Sequence, residues 1–218
     1  MNSMFDVLIE VGKVQVTWIE AIAFVLALAC VVCNVLEIHW GWPLAIISSG
    51  LYCWLFFKTK LYGDAGIQIY FVVASLWGWW LWLKPNRRIE AGQRAMSTQD
   101  QAADDLQAST LQIRRLTARE RRIVLASWLA LWLLLGTLLS HFTDSDVAWA
   151  DAFPTAGSLL GQILLGKKIL ENWYVWQVVN ISMVALLAYK SLWLTMLLYF
   201  IFLAMALLGW RRWSKALG

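Results

Sequence analysis

The stretch Glu171-Asn-Trp-Tyr-Val-Trp-Gln-Val-Val-Asn180 places polar and aromatic side chains at the start of an otherwise apolar segment. Trp173, Trp176 and Asn180 are spaced i, i+3 and i+7, so a helix presents all three on one face. An amide within a bilayer-spanning helix is costly unless a partner bonds to it, which marks a candidate functional site. Two indoles beside one amide suit a planar, partly polar ligand. The other interpretation is an interfacial tryptophan belt with an interhelical hydrogen bond from Asn180.

The composition around this stretch is that of a membrane protein. Hydrophobic residues make up 61% of the 218 residues and charged residues only 15%, whereas a soluble domain carries about 25% charged residues. The 16 Trp residues fit many helices that are each anchored at two membrane interfaces. We therefore predict an all-α polytopic membrane protein. The apolar segments predict seven transmembrane helices, at residues 17–36, 42–57, 65–83, 123–139, 152–165, 173–189 and 193–210.

The placement of basic residues predicts the orientation of these helices. Fourteen of the 18 Lys and Arg residues fall on one side of the seven spans, and half of the 18 lie between residues 84 and 122. By the positive-inside rule this side faces the cytoplasm, so we expect the N-terminus outside and the C-terminus inside. The net charge of +4 follows from this topology and gives no indication of nucleic-acid binding.

A faint internal repeat relates the first three spans to the last three. Gly78-Trp79 matches Gly209-Trp210 at the end of the third span of each unit, and residues 37–42 can be laid over residues 171–176. Each unit has an odd number of spans and one further span joins them, so both units have the same orientation, as in transporters with parallel repeats. The predicted division is an N-terminal extracytoplasmic segment (1–16), a first three-helix repeat (17–83), a cytoplasmic basic loop (84–122), a linker helix (123–139), a second three-helix repeat (151–210) and a cytoplasmic tail (211–218).

The sequence lacks convincing motifs for catalysis or metal binding. Gly161-Gln-Ile-Leu-Leu-Gly-Lys167 approaches a phosphate-binding loop, but Lys168 occupies the position where Ser or Thr would bind magnesium. His39 and His141 are predicted near opposite membrane interfaces, which argues against a paired metal site. We therefore predict no catalytic residue, no metal and no cofactor, and a protein that is not an enzyme.

Several short motifs spread along nearly the whole chain form a set. They are Trp18-Ile-Glu-Ala21, Leu61-Tyr62 with Gln68, Gly78-Trp79, Asp151-Ala-Phe-Pro154 and the more specific Glu171-Asn-Trp-x-x-Trp-x-x-x-Asn180. Together they resemble the PnuC family of bacterial vitamin transporters. The resemblance implies a 3+1+3 arrangement of two parallel three-helix repeats, similar to an enlarged SWEET sugar transporter, assembled as a homotrimer in the inner membrane. It also implies facilitated diffusion of a vitamin, best known as nicotinamide riboside, made directional by a cytosolic kinase that phosphorylates it.

The resemblance assigns functional roles to individual residues. It places Trp173, Trp176 and Asn180 in the substrate site, with Gln68 contributing from the third span. Two indoles can cover a nicotinamide ring, whose delocalised positive charge favours an aromatic face, and the amides can bond a carboxamide or ribose hydroxyls. Ser48 stands where some nicotinamide riboside carriers have Asn. Its hydroxyl can still bind substrate, but its shorter reach leaves the identity of the vitamin open.

Other functions stay open at this point. Relatives within the family carry thiamine or riboflavin, and the sequence does not separate these from nicotinamide riboside. A non-transporting membrane sensor or scaffold that uses the basic 84–122 loop as a docking arm is an alternative of a different class. The composition of this loop is equally typical of a solvated helical linker near anionic lipid.

Overall fold

The computed structural model describes residues 7–11, 14–58, 62–83, 111–143, 146–190 and 193–217. Seven helices account for most of these described residues, as predicted. They are α1 (Trp18–Val35), α2 (Gly41–Lys58), α3 (Tyr62–Leu83), α4 (Ala118–Phe142), α5 (Ala148–Gly166), α6 (Asn172–Tyr189) and α7 (Trp193–Ala216). A short antiparallel hairpin of β1 (Val7–Val11) and β2 (Val14–Thr17) precedes α1, and the sequence analysis did not predict it.

The surface of the helices is apolar. Large side chains such as Val25, Leu125 and Leu208 are exposed, as expected where lipid rather than water surrounds a helix. By length and composition, three helices within the described residues contain a stretch that is sufficiently long and apolar to cross a membrane, and a fourth apolar stretch is shorter. The three are Ala65–Leu83, Ala118–Phe142 and Met196–Ala216, and the shorter one is Ala21–Val35.

Six of the helices pack as two trios. α2 packs against α1 and α3, and α6 packs against α5 and α7 in the same manner. Because α1 contacts α7 and α3 contacts α5, the trios face each other across a central space. The remaining helix, α4, is held against α5, where the indole N–H groups of Trp128 and Trp132 donate to the carbonyl oxygens of Phe153 (3.1 Å) and Trp149 (2.9 Å).

The turns that lead into α2 and α6 share one backbone conformation. Glu37 and Lys168 have positive φ values of 60° and 49°, which is uncommon for residues other than glycine. The next amide groups, those of Ile38 and Ile169, each donate to the carbonyl oxygen five residues earlier, at 2.8 and 3.0 Å. This bond satisfies a carbonyl at a helix C-terminus. Both matched pairs are separated by 131 residues (168 − 37 and 169 − 38).

The same separation relates two buried tryptophans and the glycines that they cover. A Cβ atom on Gly78 would lie 2.4 Å from the ring of Trp42, and one on Gly209 would lie 2.5 Å from the ring of Trp173. Each glycine therefore gives an indole room to lie directly against a helix. Alignment of residue letters paired Trp42 with Trp176, which are 134 residues apart (176 − 42), whereas these turns and glycines recur at a separation of 131 residues.

The two trios meet through charged and aromatic side chains at one end of the bundle. The ring centroids of Trp82 and Trp213 are 6.3 Å apart. The ammonium of Lys168 lies 3.0 Å from the carboxylate of Glu37 and 4.6 Å from the centroid of the Trp82 ring. We call the end of the bundle that contains Glu37, Trp82 and Lys168 the ion-pair end.

Residues 111–117 run along the ion-pair end before α4 begins. The N–H of Arg114 donates to the carbonyl oxygen of Lys168 at 3.1 Å, and its own carbonyl oxygen accepts from the N–H of Leu170 at 2.9 Å. This pairing forms an isolated parallel bridge. A short extended segment is thus hydrogen-bonded to the turn between α5 and α6.

The start of α4 differs from the prediction. Thr117 and Glu120 form a capping box, in which each side chain accepts a hydrogen bond from the other residue's backbone N–H. The helix therefore begins at Ala118, five residues before the predicted linker helix and inside the segment predicted as the 84–122 loop. Residues 84–110, which make up most of that loop, lie outside the described residues.

Candidate functional site

A cavity of about 450 Å³ lies between the two trios, within the usual size range of small-molecule sites. Among the described residues, all six helices of the trios contribute to its wall and α4 contributes none. The cavity brings together the five residues that the sequence analysis singled out. Ser48 lines it from α2, Gln68 from α3, and Trp173, Trp176 and Asn180 from α6.

The three residues on α6 differ in how they are held. Trp173 is 2% exposed, and its ring packs edge-on against Trp213 at 5.3 Å, so it forms a fixed part of the wall near the ion-pair end. Trp176, one turn further along, is half-buried and lies over Gly161, where an added Cβ would be 3.1 Å from the ring. Asn180 is 4% exposed, a further turn from the ion-pair end. The helix thus presents two indoles and an amide to one space.

Ser48 is held differently from what the prediction assumed. Its hydroxyl donates to the carbonyl oxygen of Ala23 at 2.8 Å and so joins α2 to α1. Only the lone pairs of its oxygen are left for a ligand. The neighbouring Ser49 also lines the cavity, and it stands 131 residues before Asn180 (180 − 49). Gln68, which is half-buried, presents an amide from α3, in the trio opposite Asn180.

Other polar side chains also line the cavity, among them three amide or hydroxyl groups that the sequence analysis did not assign to the site. Nε2 of Gln162 donates to Oγ of Ser75 at 3.1 Å, which joins α5 to α3 through buried groups. Nδ2 of Asn34 donates to Sγ of Cys30 at 3.4 Å, while Oδ1 finds no donor among the described residues. Gln162 belongs to a poorly hydrophobic predicted span, and that signal could have found it. Asn34 and Ser75 stand alone in apolar runs that carry no comparable signal.

The cavity wall has few acidic or basic side chains among the described residues. Among the side chains that the structure describes, Asp151 is the one charged group that lines the cavity, without any Lys, Arg or His. The described part of the chain also holds no cluster of three His, Cys, Asp or Glu residues that could bind a metal ion. A wall of indoles, amides and hydroxyls can bind a planar polar molecule, but it offers no cation to pair with a phosphate.

Comparisons with known proteins place this geometry in context. The family model described as "Nicotinamide mononucleotide transporter" matches residues 17–215. The chain is 24% identical over 223 residues to the nicotinamide riboside transporter PnuC of Escherichia coli (strain K12), a match that covers 99% of this chain and 92% of that relative. It is 25% identical over 200 residues to the riboflavin/roseoflavin transporter RibM of Streptomyces davaonensis, covering 91% of this chain and 85% of that one.

A solved structure shares the fold. The crystal structure of the vitamin B3 transporter PnuC matches with a TM-score of 0.65 at 23% identity, covering 91% of this chain and 81% of that chain. The resemblance to the PnuC family is therefore confirmed, and the relatives named above are transporters. Because the family model spans almost the entire sequence, the chain belongs to the nicotinamide mononucleotide transporter family of multi-pass membrane proteins.

Proposed function

We propose that this protein takes up nicotinamide riboside across the bacterial inner membrane by facilitated diffusion. The observation that carries the proposal is the cavity wall, in which Trp173 and Trp176 lie beside Asn180. A nicotinamide ring is flat, carries a delocalised charge and bears one carboxamide, so indole faces and an amide side chain complement it. The E. coli relative that bears this substrate in its name matches over nearly the full length of the chain.

The cavity favours a nucleoside over a nucleotide. A phosphate monoester carries a charge of about −1.5 to −2 near neutral pH. In this cavity it would lie near Asp151 and would lack the Lys or Arg partners that a buried phosphate needs, at least among the described residues. Ribose hydroxyls, in contrast, find Ser49, Gln68 and Asn180 as partners. Phosphorylation by a cytosolic kinase would therefore trap the vitamin inside and make uptake directional, although the carrier itself only equilibrates it.

The proposed architecture is a 3+1+3, SWEET-like arrangement of two parallel three-helix repeats, joined by α4. It is supported by the turns, glycines and tryptophans that recur at a separation of 131 residues. Rocking of one trio against the other would then expose the cavity alternately to each side. Placing the ion-pair end in the cytosol puts the N-terminus outside, and it puts Arg211, Arg212 and residues 84–122 on the cytosolic side, in agreement with the positive-inside rule.

We further propose a homotrimer in the bilayer. α4 is held against α5 and exposes large apolar side chains that include Leu125, Leu129 and Leu133. Such a face is stable only when lipid or another protein covers it. Crosslinking in native membranes, followed by size analysis of the products, tests the number of protomers.

Uptake by purified protein in liposomes tests the transport function. We expect saturable flux of radiolabelled nicotinamide riboside, competed by the unlabelled nucleoside and not by its 5′-phosphate. Thiamine and riboflavin serve as competing vitamins, because a relative is named for riboflavin and roseoflavin. Stronger competition by either of them would reassign the substrate. The absence of flux for every vitamin would instead favour a sensor or scaffold.

Binding measurements on variants test the site. Trp176→Ala removes an aromatic contact worth about 1–2 kcal/mol, or about a five- to thirtyfold loss in affinity. Asn180→Leu should cost more, because polar groups of the ligand would enter the cavity unpaired. Trp40→Phe is the matched control, since Trp40 is 61% exposed and lies outside the cavity wall. Wild-type affinity in both site variants would mean that the substrate binds elsewhere.

A further inference from the structure

One amide on the cavity wall bridges the two trios through its nitrogen and keeps its oxygen unbonded. Gln162 on α5 is 8% exposed and lines the cavity. Its Nε2 donates to Oγ of Ser75 on α3 at 3.1 Å, which is its one hydrogen bond within the described part of the chain. The amide oxygens of Asn34 and Asn172 are fully enclosed without a donor, whereas Oε1 of Gln162 is not enclosed. Gln162 thus offers an unpaired acceptor to the cavity.

The hydrogen bond to Ser75 fixes the direction of this acceptor. Ser75 is completely buried, so water does not compete for its hydroxyl oxygen. An amide group is planar, and holding Nε2 on one side therefore also sets the direction in which Oε1 points. An acceptor that is oriented in advance loses little conformational freedom when a ligand donates to it.

Gln162 lies at the level of the two indoles of the proposed site. Gly161, the residue before it, lies under Trp176, since an added Cβ would be 3.1 Å from that ring. Leu165, about one turn after Gln162, belongs to the same buried cluster as Trp173. Because α5 and α6 are packed side by side, Gln162 faces the part of the cavity that lies between the levels of these two indoles.

A nicotinamide ring carries one substituent that matches such an acceptor. Its carboxamide has an NH₂ group with two donors beside a carbonyl oxygen, whereas Oε1 of Gln162 can only accept. A methyl ketone in place of the carboxamide has nearly the same shape and the same carbonyl oxygen, but it has no donor. A site that is built to bond a ligand N–H discriminates against the analogue that lacks it, because the buried acceptor is then left unpaired.

We propose that Gln162, held in place by Ser75, is a specificity-determining residue that accepts a hydrogen bond from the carboxamide NH₂ group of the vitamin. The inference rests on the proposed function, because it concerns how the same cavity recognises the substituent on the ring. It leaves Asn180, one turn beyond Trp176, for the ribose hydroxyls. It also implies that the cavity favours an amide over a carboxylate at this ring position, since a carboxylate has acceptors only.

The test compares nicotinamide riboside with 3-acetylpyridine riboside, in which a methyl group replaces NH₂ while the ring charge and the ribose are unchanged. Dissociation constants for both probes are measured with the purified wild type, Gln162→Met, Ser75→Ala and Gln177→Met. Methionine is close to glutamine in size and removes the amide. Gln177 is the matched control, because it is a half-buried glutamine on α6 that does not line the cavity.

We expect the wild type to bind nicotinamide riboside about three- to tenfold more tightly than the acetyl analogue. Gln162→Met should bind the two probes with affinities within about twofold of each other, Ser75→Ala should lose part of the preference, and Gln177→Met should keep it.

Equal affinities for the two probes in the wild type would overturn the inference. An equal loss for both probes in Gln162→Met would also overturn it, because the preference would persist and Gln162 would only join the two trios. Should Gln162→Met not fold, an undiminished preference in Ser75→Ala would overturn it in the same way. Failure of the wild type to bind either probe would instead overturn the proposed function.

Discussion

Substitution of Gly209 by alanine is predicted to displace Trp173, which forms part of the cavity wall. The added Cβ would lie 2.5 Å from Cε2 of Trp173 and 2.6 Å from two further ring atoms. Carbon atoms in contact are normally about 3.5–4.0 Å apart, so the indole must move by roughly an ångström. Trp173 has little room to do so, because it is 2% exposed and already packs edge-on against Trp213 at 5.3 Å.

Two opposing contributions set the change in stability that Gly209→Ala causes. Overpacking of a filled core costs about 1–3 kcal/mol, whereas alanine is favoured over glycine inside a helix by about 0.5–1 kcal/mol. We therefore expect Gly209→Ala to destabilise the protein by about 0.5–2 kcal/mol, the overpacking cost less the helix gain. Displacement of Trp173 should also remove part of an aromatic contact with the ligand, for a loss in affinity of up to about thirtyfold.

Two other glycines provide matched controls. Gly78→Ala creates the same overlap with Trp42, at 2.4 Å, but Trp42 does not line the cavity. It should lose similar stability with little change in affinity. Gly66 has no atom within 4 Å of its added Cβ, so Gly66→Ala should leave stability unchanged or raise it by up to about 1 kcal/mol.

The assay combines unfolding of each purified variant in detergent with titration of nicotinamide riboside. We expect stability losses in Gly78→Ala and Gly209→Ala, and an affinity loss in Gly209→Ala alone. Equal affinity losses in both would show that they reflect general destabilisation rather than movement of Trp173. A fully stable Gly209→Ala would refute the predicted overlap itself.

Three further predictions concern the ion-pair end, the energetics of transport and the topology. Glu37→Gln leaves the nearly buried Lys168 ammonium without its carboxylate partner, which should cost about 1–3 kcal/mol of stability. The double variant Glu37→Gln with Lys168→Met should recover part of this loss. Additive losses in unfolding measurements would disprove the coupling between Glu37 and Lys168. Liposomes at zero membrane potential should equilibrate the vitamin without accumulating it, and uptake driven by an imposed proton or sodium gradient would contradict facilitated diffusion. Cysteines placed within residues 84–122 should resist a membrane-impermeant thiol reagent in intact cells, and rapid labelling would reverse the proposed orientation.

Hydropathy was sufficient to locate the helices but not all of their ends. α6 was predicted at residues 173–189 and is found at Asn172–Tyr189. α4 was predicted at residues 123–139, whereas Thr117 and Glu120 start it earlier through a capping box. The first turn that they set up is basic and lies at the ion-pair end, so a window that measures only apolar character does not include it.

The cavity could be predicted where its residues share one helix and not where they come from several. The spacing of Trp173, Trp176 and Asn180 predicted one common face, and all three line the cavity. The hydrogen bond between Gln162 and Ser75 joins residues 87 positions apart, and no local pattern indicates such a pair. Distant partners of this kind are fixed by the packing of α5 on α3, which follows from the tertiary fold alone.

The proposed repeat was predicted from identical letters, whereas the register that supports it comes from backbone geometry. Glu37 and Lys168 occupy equivalent left-handed positions but carry opposite charges, so comparison of letters cannot pair them. Their difference in charge has a consequence of its own, because the two residues form an ion pair where the trios meet. The opposite charges at these two positions thus form a contact between the two trios that two residues of the same charge could not make.

Favourable and unfavourable contributions to the free energy of packing are similar in size at the ion-pair end. The buried indole N–H groups of Trp82 and Trp213 find no acceptor among the described residues, and an unsatisfied buried donor costs about 1–3 kcal/mol. The contact of Lys168 with the Trp82 ring contributes about 0.5–2 kcal/mol in the other direction, and each edge-on aromatic pair adds about 0.5–1.5 kcal/mol beyond its area. Because these terms largely offset one another, separating the trios at this end loses packing but lets water hydrate the freed N–H groups. The rocking of the trios proposed above would need such a balance, since a ligand can shift the equilibrium only by its difference in affinity for the two states.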